Sequence, residues 1–290
     1  NITITGNGSI TVPGRTTGTI GTAGTPTGAI VNTSVAANGS NNGDINFSVG
    51  TGAFIGTSVT QGPGAAGGDI LFGDNDFDIT GNITNSRTAA GADITSVAAT
   101  GAYTKTVGGY ILNSGASNID INLAANSTLT VTGRVENSGA GTTSFTGASN
   151  GIISFGGIVV SNGTVTVPAT HNANINVLGA WTVSGGTLNL LGTGAVNINV
   201  SQTANTPITW TNGTLNFTGR ATVNIGSVNF TIGGATTNPT FTSTTTTLNF
   251  NDPIPNVVQN IYVGTANPVY PGPFTISNAA NIPAPVVKLL

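Results

Sequence analysis

Ile20, Ile45, Ile70, Ile94 and Ile121 recur at intervals of 25, 25, 24 and 27 residues, and the last four each follow an aspartate. The words are Gly43-Asp44-Ile45-Asn46-Phe47, Gly68-Asp69-Ile70-Leu71-Phe72, Asp93-Ile94-Thr95 and Asp120-Ile121-Asn122, with Gly18-Thr19-Ile20 as a weaker first member. A period in this range marks a repeat architecture, in which one unit buries its apolar face only by stacking on the next.

Inside the repeats the pattern has period two, as in Val196-Asn197-Ile198-Asn199-Val200 and Leu215-Asn216-Phe217. Such alternation puts aliphatics on one side of a strand and Asn or Thr on the other. Helical periodicity is absent. The second half repeats itself, Thr187-Leu188-Asn189-Leu190 with Val196-Asn197-Ile198 against Thr214-Leu215-Asn216-Phe217 with Val223-Asn224-Ile225. Two strands therefore keep their phase across a repeat. Phe145, Ile175, Ile198, Ile225 and Leu248 extend the isoleucine series. Outward Asn residues in stacked coils are expected to form amide ladders, as in cross-β assemblies.

The fold expected is all-β: a parallel β-helix of about 25 residues per coil with non-repeat terminal segments. Residues 1–14 read as an N-terminal cap or donor strand, 15–250 as the β-helix and 251–290 as a Pro-rich C-terminal cap or connector, since that last stretch holds seven of the 13 prolines. The alternative is a tandem of antiparallel, pilin-like β-sandwiches, in which the period would mark hairpin pairs.

Only 5% of residues are charged, far from the quarter or so of ordinary globular chains. Disorder is the wrong explanation, because disordered chains are charge-rich and poor in the β-branched residues abundant here. The six cations, Arg15, Arg87, Lys105, Arg134, Arg220 and Lys288, form no basic stripe, so nucleic acid is not an expected partner. No apolar run is long enough to span a bilayer. The chain starts at Asn1 without a charged, apolar leader and reads as a mature product. With no Cys, disulfides and thiolate metal sites are excluded.

The words Gly67-Gly68-Asp69-Ile70 and Ser127-Thr128-Leu129-Thr130-Val131-Thr132-Gly133, with the Thr-Leu-Asn-Leu and Thr-Leu-Asn-Phe copies, resemble the repeats of filamentous-haemagglutinin-type adhesins and autotransporter passengers. The resemblance covers most of residues 15–250. It implies a right-handed parallel β-helix, secreted or on a cell surface. The Asn-Pro-Asn secretion signals of the haemagglutinin family are missing, because Asn238-Pro239 and Asn267-Pro268 are followed by Thr and Val.

Among candidate sites, Asp74, Asp76 and Asp78 have the alternate spacing of calcium loops, and Asp69 is near enough in sequence to join them. Either a cation neutralises them or they splay into a solvated turn. Asp44, Asp69, Asp93 and Asp120 are expected to stack in successive coils, each capping a corner through an Asx-turn. His171, the single histidine, reads as a surface residue of a loop. Trp181 and Trp210 read as core fillers. Glu136 is the only Glu and no Lys or Arg lies within eight residues of Asp74–Asp78, so acid–base cleavage of polysaccharide lacks its machinery.

The leading functional expectation is a non-enzymatic extracellular or cell-surface structural subunit, self-assembling into a fibre, sheath or stalk through terminal β-strands. No cofactor is required; calcium is the candidate ion. The second reading is a surface adhesin or glycan-binding module, and the third a polysaccharide lyase or hydrolase.

Overall fold

In the computed structural model the chain is a parallel β-solenoid with coils of about 24 residues, and the described residues contain no helix. The structure describes residues 54–64, 68–72, 77–91, 93–96, 101–200, 206–226, 229–234, 236–237, 239–243 and 245–250, and the strand segments 2–4, 10–11, 18–19, 21–22, 25–26, 29–32, 45–47, 260–263, 274–276 and 288–289. Among the described residues no helix is long and apolar enough to cross a membrane.

Each described coil lays one short strand on each of three faces. The first face carries Ile83–Arg87 and Ile111–Asn113; the second carries Ile70–Phe72, Ile94–Ser96, Thr142–Ser144 and Thr164–Val167; the third carries Thr104–Val107, Asn174–Val177, Val196–Ile198 and Thr222–Ile225. Thr128–Asn137 and Ile152–Val160 turn the corner from third face to first, and Trp181–Leu190 and Ile208–Asn216 turn from first to second. Described pairings are parallel except for Gly21–Thr22 with Thr25–Pro26, which rules out the antiparallel sandwich. The pairing extends to both ends, Ile2–Ile4 lying along 30–32 and Lys288–Leu289 along 260–261.

Strict alternation sends every second side chain inward, so the core is a set of vertical columns. On the first face Val59, Ile83, Ile111, Val135, Ile158, Trp181, Ile208 and Phe230 lie one above another. All are buried, and removing such an aliphatic from water stabilises by about 1.5–3 kcal/mol. Trp181 and Trp210 belong to this core, with ring centroids 5.9 Å apart. Glycine is needed where corners of successive coils nearly touch: a Cβ on Gly139 would strike the backbone of Gly115 directly across the corner.

The isoleucine register holds where it was clearest, Ile45 on Ile70 and Ile70 on Ile94. The next residue in the column is Ile119, not Ile121, and Ile10 rather than Ile20 lies on Ile45; Ile20 itself is outside the described residues. Ile198 does sit on Ile225, but Ile175 sits on Ile153 on the third face, so the extended series mixes faces. The second-half repeat is in register as expected, Leu188 on Leu215, Asn197 on Asn224.

Candidate functional site

The outer side of the third face bears an amide ladder. Asn176, Asn197, Asn224 and Asn249 occupy one outward column in four successive coils. The Nδ2 of Asn197 donates to Asn176 Oδ1 (3.0 Å), Asn224 to Asn197 (2.7 Å) and Asn249 to Asn224 (2.9 Å). The amides thus all point the same way, and each bond polarises the next. This is the outward ladder that alternation predicts, and it explains Asn in strands where its own propensity is poor.

A second asparagine column runs inside. Asn32, Gln61, Asn85, Asn113 and Asn137 are stacked at the corner between first and second faces, each fully buried. They serve corner backbone rather than each other. Asn137 Nδ2 donates to the carbonyls of Gly139 (3.2 Å), Gly141 (3.0 Å) and Asn162 (2.8 Å), while its Oδ1 accepts from Thr143 Oγ1 (3.0 Å). Asn113 Nδ2 does the same for Ser117 and Thr142. Below Asn137 the column becomes Val160, Val183, Trp210 and Ile232. Reading every strand Asn as outward missed this column. Its signal was parity, because Asn85, Asn113 and Asn137 each lie two residues after an inward Ile or Val.

Among the described residues the cations Arg87, Lys105 and Arg220 are buried. Arg220 fills the corner between second and third faces in the later coils, donating to the carbonyls of Ala173 (2.7 Å), Gly194 (2.5 Å), Leu191 (2.5 Å) and Leu190 (3.4 Å). Burial pulls its guanidinium down to about 10, so it remains charged at neutral pH. His171 is a correction: it is fully buried at the same corner, not on the surface. A tight turn, with the His171 N–H donating to the Pro168 carbonyl, folds the ring inward, where Nδ1 accepts from the Ser149 N–H (3.0 Å). Its Nε2 is buried without a hydrogen-bond partner. Burial lowers the imidazole's pKa and the Arg220 charge adds to this, outweighing the nearby Thr146, Ser149 and Phe145 backbone. The ring is therefore neutral at pH 7, its proton on Nε2.

Of the proposed metal ligands, Asp74 and Asp76 lie outside the described residues. Asp69 precedes a second-face strand and Asp78 is exposed on the third-face strand Phe77–Ile79. Among the described residues no three His, Cys, Asp or Glu side chains cluster to hold a metal.

The aspartate column also differs from the expectation. The Asp93 N–H donates to Asp69 Oδ1 (2.9 Å), the Asn118 N–H to Asp93 Oδ1 (2.7 Å) and the Thr142 N–H to Asn118 Oδ1 (2.9 Å). These oxygens bridge to the following coil instead of closing Asx-turns, and Asn118 takes the rung assigned to Asp120. Asp120 instead accepts from Thr146 Oγ1 (2.6 Å). Asp44 lies outside the described residues.

The remaining described carboxylate, Glu136, pairs with Arg134 at the surface (2.6 Å). What this structure supports of the haemagglutinin-type resemblance is the parallel solenoid itself. The chain matches no protein-family model, no curated protein and no solved structure.

Proposed function

We propose that this chain is a non-enzymatic structural rod of the cell exterior, a subunit or segment of a fibre, sheath or stalk. The observation that carries the reading is the parallel register maintained through the described coils and the strand pairs at either end. A coil added by a second copy, or by more of the same chain, would continue the same ladders, because the strands of an end coil offer their outer edge along the axis. Burial of Arg87, Lys105 and Arg220 leaves the outside with few charges, so like rods repel one another weakly. Of the five described carboxylates, four have structural partners, Asp69 the Asp93 N–H, Asp93 the Asn118 N–H, Asp120 the Thr146 hydroxyl and Glu136 the Arg134 guanidinium, while Asp78 stands exposed. That supports a non-catalytic role. Calcium at Asp69, Asp74, Asp76 and Asp78 would add a trigger for assembly.

Negative-stain electron microscopy and light scattering of the purified protein, with calcium and with chelator, test this. The expected result is rods that lengthen with concentration. A monodisperse monomer at all concentrations in both conditions would overturn self-assembly.

A further inference from the structure

Among the described residues, the large hydrophobic side chains that stay exposed are Ile152 (47%) and Leu178 (39%). Both lie on the outer side of the third face, Ile152 one coil before the first amide rung and to one side of its column, Leu178 beside that first rung on the other side. The register sets Ile152 against Asn174 and Ser154 against Asn176, and Leu178, just past the end of the strand Asn174–Val177, is the next outward residue after Asn176. Beside them a cleft of about 420 Å³ is lined by Asn176, Val177, Leu178, Asn197 and Val200. Amide donors and acceptors therefore run down the middle of the strip, with two aliphatic side chains beside its head, Ile152 on one side and Leu178 on the other.

Within the ladder the internal amides Asn197 and Asn224 each use one N–H and one oxygen lone pair, so one N–H and one lone pair of each are not taken up by the ladder. The Nδ2 of Asn176, at the head of the ladder, is donated to no other rung. These groups are held rigidly at the strand spacing of about 4.8 Å, so a ligand with matching groups meets a preorganised array. No charged side chain belongs to the strip, which gives an anionic ligand nothing to pair with and a cation no carboxylate. The fitting ligand is neutral, rich in hydroxyls that both donate and accept, apolar on its ring faces, and repetitive at nearly one unit per coil. An extended, equatorially linked hexopyranose chain has these properties.

We propose that this strip binds an uncharged polysaccharide laid along the solenoid axis. Successive rings hydrogen-bond to Asn176, Asn197 and Asn224, and Leu178 with Val200 contacts a C–H face. The site is complete within one chain and stands whether or not the rod polymerises.

Isothermal titration of the full chain with cellohexaose, mannohexaose, the corresponding disaccharides and polygalacturonate tests it. At least one neutral hexaose is expected to bind, about tenfold or more tighter than its disaccharide because several rungs engage. Leu178→Ala and Asn197→Ala should each weaken binding by about fivefold or more, while Thr209→Ala on the first face changes nothing. Leu178 is exposed, so its variant keeps the fold, and unchanged circular dichroism and melting midpoint verify this. No binding of either hexaose at millimolar concentration, equal binding of polygalacturonate, or undiminished affinity in both variants would overturn the proposal. So would sedimentation showing that Leu178→Ala abolishes self-association while sugar binding is unaffected, since the strip would then be a contact between copies.

Discussion

The inner and outer asparagine columns use one residue type for two different ends. Asn137 is fully buried and holds three corner carbonyls, whereas Asn197 is half-exposed and bonds only to the amides above and below it. Inside, the corner backbone has no water to turn to, and an unpaired buried polar group costs about 1–3 kcal/mol. Outside, water replaces a lost amide bond at little cost. The inner column therefore fixes where each coil bends. The outer one adds a little stability and presents a regular polar surface.

The largest expected effect comes from Arg220, which does for a corner of the later coils what the inner amides do for the earlier ones. Arg220→Met strands the carbonyls of Ala173, Leu191 and Gly194 and should destabilise by about 4 kcal/mol in urea unfolding. A loss under about 1 kcal/mol would mean that water reaches that corner. Asn137→Ala should cost about 3 kcal/mol, for the same reason with a neutral donor.

His171 sharpens the comparison through pH. Its folded pKa lies below the unfolded value of 6.5, so between those two values the unfolded chain binds a proton that the folded chain refuses. Stability is then full above the unfolded pKa and falls as pH drops below it. The His171→Asn variant should show a shallower loss of melting temperature between pH 7 and pH 5 than the parent. Parallel curves would contradict a buried neutral ring. The smallest effect is that of Asn197→Ala, at or below about 1 kcal/mol. A cost as large as that of Asn137→Ala would erase the distinction between the columns.

Much of this architecture could be read from residue spacing. Ile45, Ile70 and Ile94 gave the register because each is an inward strand residue at near-constant coil length. The Leu188 and Leu215 words continue that same column, and the Val196 and Val223 words gave the third face the same way. The misreadings share one physical cause, that corners are defined by the neighbouring coil and not by local pattern. Asn118 replaces an aspartate because any side-chain oxygen there can accept the next coil's N–H, so the Asp-Ile word at Asp120 was a false match. His171 was placed at the surface because its burial depends on a turn packed against Ser149, some 22 residues away. The outer amide ladder was legible from alternation. Its flanking Ile152 and Leu178 were not, since only the paired register shows that both emerge on that face.

The central claim is a single backbone winding so that equivalent residues of successive coils are parallel neighbours. The chain has no Cys, so engineered pairs give a clean readout by disulfide trapping. Thr182 and Thr209 are register partners with outward side chains, and parallel neighbours at about 4.8 Å are within disulfide reach. The double variant Thr182→Cys/Thr209→Cys should oxidise to an intramolecular bond under mild conditions without losing its β-sheet circular dichroism signal, while Thr182→Cys/Thr222→Cys, which joins different faces, should not. Efficient closure of the second pair and none of the first would contradict the solenoid.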